Sequence, residues 1–312
     1  MNYFTKAKPY NSLNEYYKKR YGKKVTKIAL NASFTCPNRD GKKGYGGCTF
    51  CAGGSGEYGE IPLKEQFKLV ADTISNKWPD ALYIPYFQAY SNTYKPLNEL
   101  IPIYEEAIKL AKDNIAGIAI ATRADSIEDD VIEYLGELNK KIPVSIELGL
   151  QTSNELTSKR INRCMTNDEL ITIVNKLRSH NIEIIAHIIN GLPGETIDDN
   201  LKTIDFINSL DIQGIKIHSL LLLENTKLYE EYKKEPFHIL TMDEYIEIVC
   251  QEIAHLRDDI IIHRLQADAK VNMLYEPKWT SKKFIVMNNI DKTLRAKNLY
   301  QGKLYVNKDN PH

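Results

Sequence analysis

The 312-residue chain has few cysteines, little glycine or proline, and no net charge. Its 16 glycines and 12 prolines are too scarce for a collagen-like or disordered chain. No apolar run approaches the roughly 20 residues of a membrane-spanning helix, and residues 1–24 lack the apolar stretch of a secretory signal. Five cysteines, a small and odd number, do not suit a disulfide framework. These absences predict a cytoplasmic protein without a membrane partner, in which clustered thiols serve a metal or catalysis.

The charges are unevenly distributed along the chain. Residues 1–45 contain 11 Lys and Arg against 2 Asp and Glu, and residues 264–312 contain 10 against 4. The acidic groups therefore concentrate between two basic ends. This distribution favours a localised anionic partner, and solvated surface lysines are the alternative.

Short apolar runs alternate with longer amphipathic segments from residue 27 onward. The runs have the composition of strands buried on both faces, and they cover 27–33, 82–89, 117–121, 144–149, 182–189 and 215–221. The amphipathic segments predict helices over 64–77, 97–112, 127–139, 153–178, 195–209 and 241–257. This alternation predicts an α/β fold, a partial (β/α)6 TIM-like barrel. We expect the barrel over residues 27–262, flanked by basic extensions over 1–26 and 263–312.

Three of the five cysteines, Cys36, Cys48 and Cys51, fall within 16 residues just past the first predicted strand. In α/β barrels this end of a strand faces the catalytic mouth. Three thiolates can hold zinc, but a structural zinc site is normally closed by a fourth ligand, and none stands nearby in the sequence. A [4Fe–4S] cluster held by three cysteines leaves one iron open to another ligand. The stretch favours such a cluster, with structural zinc as the alternative.

The segment Cys48-Thr49-Phe50-Cys51, preceded by Cys36, resembles the cluster loop of the radical S-adenosylmethionine (SAM) superfamily. That loop usually has three residues between its first two cysteines, whereas eleven separate Cys36 from Cys48. The long gap is similar to that of the Elongator catalytic subunit's radical SAM core. It is closer to a bacterial radical SAM family whose loop begins Cys-Pro-Asn-Arg-Asp-Gly. The resemblance implies reductive cleavage of SAM to a 5′-deoxyadenosyl radical, and with the strand-end segments below it covers about residues 27–220.

Residues at later strand ends extend this resemblance. Residues 147–153 resemble a turn of the coproporphyrinogen-dehydrogenase-like subgroup, in which a Gln and an Arg twelve residues later contact SAM. Gln151 and Arg163 have that spacing, and a guanidinium suits the methionyl carboxylate because it offers a planar fork of donors. Positions at the strand ends supply further candidate SAM contacts, which are Gln88, Tyr90, Thr122, Arg123 and Glu147.

Structural roles are the alternatives for several of these side chains. Arg123 could pair with Asp125, and Glu147 could be a buried carboxylate held by backbone donors. Cys164 and Cys250 are expected to be ordinary thiols. Interior hydrogen bonding rather than metal binding is expected of the two strand histidines, His187 and His218.

Tyrosines alternate with basic residues near the amino terminus, notably over 16–21. Cations beside stacking surfaces are typical of single-stranded RNA recognition. Together with a second basic segment over 263–283, this block is expected to frame the pocket entrance. The likeness to the Elongator core implies a tRNA substrate, because that family modifies the wobble uridine.

We therefore predict a radical SAM enzyme that modifies tRNA. Because the sequence shows one three-cysteine site, a flavodoxin or ferredoxin is the expected electron donor. Two alternatives stay open. One is a radical SAM reaction on a small molecule such as a tetrapyrrole, and the other is a non-catalytic iron–sulfur or RNA-binding protein.

Overall fold

A computed structural model describes residues 3–53, 60–268 and 272–306. The strands are β1 (Val25–Leu30), β2 (Leu82–Phe87), β3 (Ile118–Thr122), β4 (Val144–Gln151), β5 (Glu183–Asn190), β6 (Gly214–Ser219), β7 (Leu222–Leu223), β8 (Ile261–Arg264) and β9 (Leu274–Glu276). The helices are α1 (Leu13–Tyr21), α2 (Leu63–Ser75), α3 (Leu97–Ala111), α4 (Asp129–Asn139), α5 (Glu155–Arg160), α6 (Asn167–Ser179), α7 (Ile197–Asn208), α8 (Lys227–Lys234), α9 (Met242–His255) and α10 (Lys283–Ala296). Among the described residues, no helix is both long and apolar enough to cross a membrane.

Seven parallel strands form one curled sheet in the order β1-β2-β3-β4-β5-β6-β8, and β7 pairs with β9 separately. The predicted α/β partial barrel is confirmed, with one strand more than expected. That strand, β8, has four residues and pairs with β6. It lies across the predicted domain boundary at residue 262.

The two faces of the sheet differ in chemistry because successive strand residues point to opposite sides. Outward-facing residues such as Ile146 and Ile217 are fully buried in the apolar core. Their neighbours Glu147 and Lys216 face the hollow of the half-barrel instead. The helices therefore cover an apolar outer layer, while the interior carries polar groups.

The single helix predicted over 153–178 is wrong, because the segment forms α5 and α6 with a turn between them. Asn162 and Cys164 in this turn have φ angles of 55° and 53°, in the left-handed region that interrupts a helix. Thr166 then begins α6 with a capping box to Glu169. The turn passes beside the loop that carries the three clustered cysteines.

Helix α1 lies at the amino ends of the strands, which is the end opposite the cysteines. Tyr21 donates a hydrogen bond to the carbonyl of Ala116, just before β3, at 3.2 Å. Arg20 forms an ion pair with Glu183, the first residue of β5, at 3.1 Å. Tyr17 packs in the small apolar cluster that also contains Tyr21. The prediction that the amino-terminal block frames the pocket entrance is therefore wrong, since its tyrosines help to close the opposite end.

Candidate active site

The long gap between Cys36 and Cys48 folds into a short hairpin. Asp40 and Tyr45 form an antiparallel bridge within it, and the amide of Gly47 donates to the carbonyl of Asn38 at 2.7 Å. The hairpin returns the chain to its starting point, so Cys48 lies near Cys36. The eleven-residue gap between Cys36 and Cys48 is thus accommodated as an inserted hairpin. The insertion leaves the three thiols close together.

Neighbouring elements hold the second half of this loop in place. The amide of Thr49 donates to the carbonyl of Ile161 at 2.9 Å, and the amide of Leu228 donates to the carbonyl of Thr49 at 2.9 Å. The side chain of Asn162 donates to the carbonyl of Gly47 at 2.8 Å. Backbone bonds from the α5–α6 turn and from α8 therefore fix the loop before any ligand binds.

The three thiols face one another at the carboxyl ends of the strands. Burial raises the pKa of Cys48 to about 11, Arg123 opposes that rise, and the nearby sulfurs of Cys51 and Cys36 add to it. The amide of Asn38 lies 3.5 Å from the Cys48 sulfur as a donor. Deprotonation of Cys48 therefore requires a positive centre, and a bound iron would supply one.

The chemistry of the donor set bears on which metal centre it suits. Thiolates suit both zinc and iron–sulfur clusters. A structural zinc site normally takes four ligands, whereas three cysteines can hold a [4Fe–4S] cluster with one iron open to another ligand. The donor set of Cys36, Cys48 and Cys51 fits such a cluster.

Arg123 and Thr122 lie at the end of β3 beside the thiols. Arg123 pairs with Asp125 through two bonds of 2.8 and 2.7 Å, so the ion pair considered from the sequence is present. Thr122 shares a hydrogen bond of 2.6 Å with Thr93. Contact of either residue with SAM stays a prediction.

Gln151 ends β4 at the mouth with a φ angle of 66°. A Cβ atom added at Gly149 would lie 2.6 Å from the amide nitrogen of Gln151. The side chain of Gln151 therefore folds back over the strand beside Gly149, and a larger residue at position 149 would displace it. Contact of Gln151 with SAM stays a prediction.

Arg163 is a fully buried residue with every N–H donor engaged. It donates to the carbonyls of Leu150 at 2.6 Å, Thr152 at 2.7 Å and Met165 at 2.7 and 2.9 Å, and to the side chain of Asn167 at 3.1 Å. In this structure Arg163 fixes the turn after β4. Binding of a methionyl carboxylate, which stays a prediction, would require exchange of these bonds.

Gln88 and Tyr90 follow β2 next to the same loop. The amide of Gln88 donates to the carbonyl of Leu30 at 3.4 Å, and the guanidinium of Arg39 lies 5.7 Å from the centre of the Tyr90 ring. An open cleft of about 510 Å³ adjoins them, lined by Asn31, Ser33, Phe34, Thr35, Arg39, Asp40 and Tyr90. Tyr90 therefore borders a cleft that is open to a ligand, whereas Gln88 does not line it. Contact of either residue with SAM stays a prediction.

Deeper in the half-barrel, five side chains form what we call the interior network: Lys27, Tyr86, Glu147, His187 and Lys216. Glu147 accepts from Lys27 at 2.5 Å, Tyr86 at 2.5 Å, His187 at 2.8 Å and Lys216 at 2.5 Å. Because β1, β4 and β6 are not neighbours in the sheet, the two lysine bonds cross the hollow. These four bonds fill the acceptor sites of the carboxylate. Contact of Glu147 with SAM stays a prediction.

The electrostatics of the interior network keep Glu147 charged. Burial alone would raise the pKa of Glu147, but Lys216 and Lys27 hold it well below its usual value. Burial lowers the pKa of His187 to about 4, so this histidine is neutral. Burial also lowers the pKa of Lys216, and the adjacent carboxylate of Glu147 opposes that fall and favours the ammonium form. Glu147 is a permanent carboxylate and not a proton donor at neutral pH.

Sequence reasoning missed the lysines of this network. The signal available was a charged residue inside each of two apolar runs, Ile146-Glu147-Leu148 and Ile215-Lys216-Ile217. Opposite charges inside buried strands must find partners. An ion pair between Glu147 and Lys216 could therefore have been predicted from these two runs. The expectation that His187 is a hydrogen-bonded interior histidine agrees with its bond to Glu147.

Comparison with known proteins agrees with this geometry. The model of the Radical SAM superfamily matches residues 33–207, and that of the Radical SAM C-terminal domain matches residues 212–296. The protein YtqA of Bacillus subtilis is 41% identical over 307 residues, which cover 97% of this chain and 95% of the relative. A tRNA uridine(34) acetyltransferase of Methanocaldococcus infernus is 24% identical over 182 residues, 55% of this chain and 33% of that protein.

A solved structure has the same fold. The archaeal Elp3 protein of Methanocaldococcus infernus superposes with a TM-score of 0.67 at 17% sequence identity, over 89% of this chain and 64% of that one. One conclusion follows from the extent of the family match, from the identity to YtqA, and from the parallel half-barrel with thiols at its mouth. The chain belongs to the radical SAM superfamily of enzymes.

Proposed function

We propose that this protein holds a [4Fe–4S] cluster through Cys36, Cys48 and Cys51, cleaves SAM reductively, and modifies tRNA at the wobble uridine. The observation that carries the proposal is the grouping of three thiols, Cys36, Cys48 and Cys51, on a loop at the mouth of the half-barrel that is fixed by hydrogen bonds from neighbouring elements. When bound, the cluster and SAM supply a 5′-deoxyadenosyl radical that abstracts a hydrogen atom from the substrate.

The residues around the loop have supporting tasks in this proposal. Asn38 orients the sulfur of Cys48 by donating to it. Arg123 lowers the pKa of that thiol, and its positive charge stabilises the thiolate that iron requires. In this proposal Gln151, at the mouth end of β4, would orient SAM. A flavodoxin or ferredoxin would supply the electron from outside.

The tRNA substrate is supported by the relative whose name specifies uridine 34 of tRNA. This chain covers 33% of that protein, so the acetyltransferase activity is not transferred, and the proposal concerns the nucleic acid alone. The hairpin of the cysteine loop also presents two exposed lysines, Lys42 and Lys43, at the mouth. Such cations suit the phosphate backbone of an RNA that approaches from that side.

The test is nucleoside mass spectrometry of bulk tRNA from a strain that lacks the gene. We expect one modified uridine to disappear and its precursor to accumulate. A plasmid that encodes the wild-type chain or Cys164→Ala should restore the nucleoside, whereas Cys48→Ala should not. An unaltered nucleoside profile in the deletion strain would contradict the tRNA substrate and favour a small molecule.

A further inference from the structure

Inside the half-barrel, the positive side chains near the interior network outnumber the carboxylates. Glu147 alone offsets both Lys27 and Lys216. A third cation, Arg264, stands on β8 directly opposite Lys216 in the strand register. Its ion pair with Asp268, at 3.5 Å, lies at the half-exposed edge of the hollow. The interior therefore has a surplus of positive charge on the β6–β8 side.

Two histidines on the same side have buried nitrogens without hydrogen-bond partners. These atoms are Nε2 of His218 and Nδ1 of His263, for which the described residues provide no partner. The His218 ring lies 5.2 Å from the ring of His187, centre to centre. A Cβ atom at Gly214 would come within 2.8 Å of the His263 ring, so that ring is held against β6. Buried polar atoms without partners are rare and often mark a place that a ligand occupies.

We propose that Lys216, His218 and Arg264 bind an oxyanion of the substrate, a carboxylate or a phosphate. The inference rests on the proposed function, because the anion would belong to the molecule that is modified. Lys216 and Arg264 supply charge, and a neutral imidazole at His218 can donate one N–H bond. Lys216 lies three residues before the mouth end of β6, about 10 Å down the strand. A substrate anchored there would extend toward the thiols.

Two ammonium groups offset the negative charge of Glu147 near such an anion. The lone pairs of Glu147 accept from four side chains, and two of these are ammonium groups. The carboxylate also fixes Lys216 in position, while Tyr86 lies 3.1 Å from the same ammonium. The site is therefore assembled before the substrate arrives, which lowers the entropic cost of binding.

The proposal can be tested with nuclear magnetic resonance of the oxidised holoprotein labelled at the histidine rings. The chain has seven histidines, so the His218 signal can be assigned by substitution. We expect titration with sodium acetate or sodium phosphate, at constant ionic strength, to shift that signal. The neutral analogue acetamide should not shift it. A response to acetate alone identifies a carboxylate site, and a response to phosphate alone identifies a phosphate site.

Arg264→Gln should weaken the response by about tenfold or more, because a charge-assisted hydrogen bond is worth roughly 1.5–3 kcal/mol. The matched control is Arg178→Gln, which removes an ion pair between α6 and Asp211 in the loop before β6 and should leave the response unchanged. No shift with either anion, an equal shift with acetamide, or an unchanged response in Arg264→Gln would overturn the proposal.

The readout requires neither SAM cleavage nor tRNA. An unaltered tRNA profile together with anion-dependent shifts would refute the tRNA substrate and leave the anion site in place. A changed profile without shifts would refute the anion site alone.

Discussion

Replacement of Cys36, Cys48 or Cys51 with alanine is expected to abolish both the visible absorbance of the reconstituted cluster and the formation of 5′-deoxyadenosine from SAM. Each thiolate binds a different iron, and two remaining ligands cannot retain the cluster against loss of iron. The measurements are iron content, the absorption spectrum and product chromatography for each purified variant.

The matched control is Cys164→Ala, which removes an exposed thiol close to the cysteine loop. A Cβ atom at Gly44 in that loop would lie 2.9 Å from the Cys164 sulfur. Closeness to the loop therefore does not distinguish Cys164 from the three proposed cluster ligands, and the variant is needed. We expect the control to retain iron and SAM cleavage. Full activity in any one of the three loop variants, or loss of the cluster in Cys164→Ala, would contradict the assignment of ligands.

Glu147→Gln is expected to lower the free energy of unfolding by about 3–5 kcal/mol, the usual effect of removing one partner from a buried ion pair. The substitution leaves the ammonium groups of Lys27 and Lys216 in the interior without their carboxylate. Because the folded-state pKa of Glu147 is lowered, its contribution is present above the ordinary carboxyl pKa and is lost as the pH falls. Urea denaturation at pH 7 measures the loss.

The matched control is Glu183→Gln, which removes one half-exposed ion pair, the one with Arg20. Surface pairs contribute about 0–1 kcal/mol, so this control should unfold close to the wild type. The double variant Glu147→Gln/Lys216→Met should recover part of the lost stability, since it also removes one of the stranded charges. A Glu147→Gln protein within about 1 kcal/mol of the wild type would refute the structural role of the interior network.

Much of the half-barrel could be predicted from the sequence because its strands are local patterns. The apolar runs around Ile146 and Ile217 indicate buried parallel strands by composition alone. Strand β8 escaped notice because four residues are too few to show a pattern. The break between α5 and α6 escaped notice because it depends on left-handed backbone at Asn162 and Cys164, two residue types that helices also contain.

The three clustered cysteines were visible because they are close in sequence, whereas the interior network was not. Lys27 and Glu147 are 120 residues apart, and Lys216 and Glu147 are 69 apart. Only the closure of the sheet brings them together. For the tyrosines of α1, a role was predicted but at the wrong end of the barrel. The composition of residues 16–21 suggested a binding role, but composition does not specify which end of the barrel these residues cover.

In the proposed enzyme, one iron of the cluster held by Cys36, Cys48 and Cys51 is open to SAM. The decisive experiment is electron–nuclear double resonance of the reduced holoprotein with SAM that carries ¹⁵N at its amine. This assignment predicts a hyperfine coupling between the labelled nitrogen and the cluster, and a ¹⁴N pattern in its place when unlabelled SAM is used. Zinc in place of iron, or a reduced cluster whose spectrum shows no coupling to the labelled SAM, would contradict it.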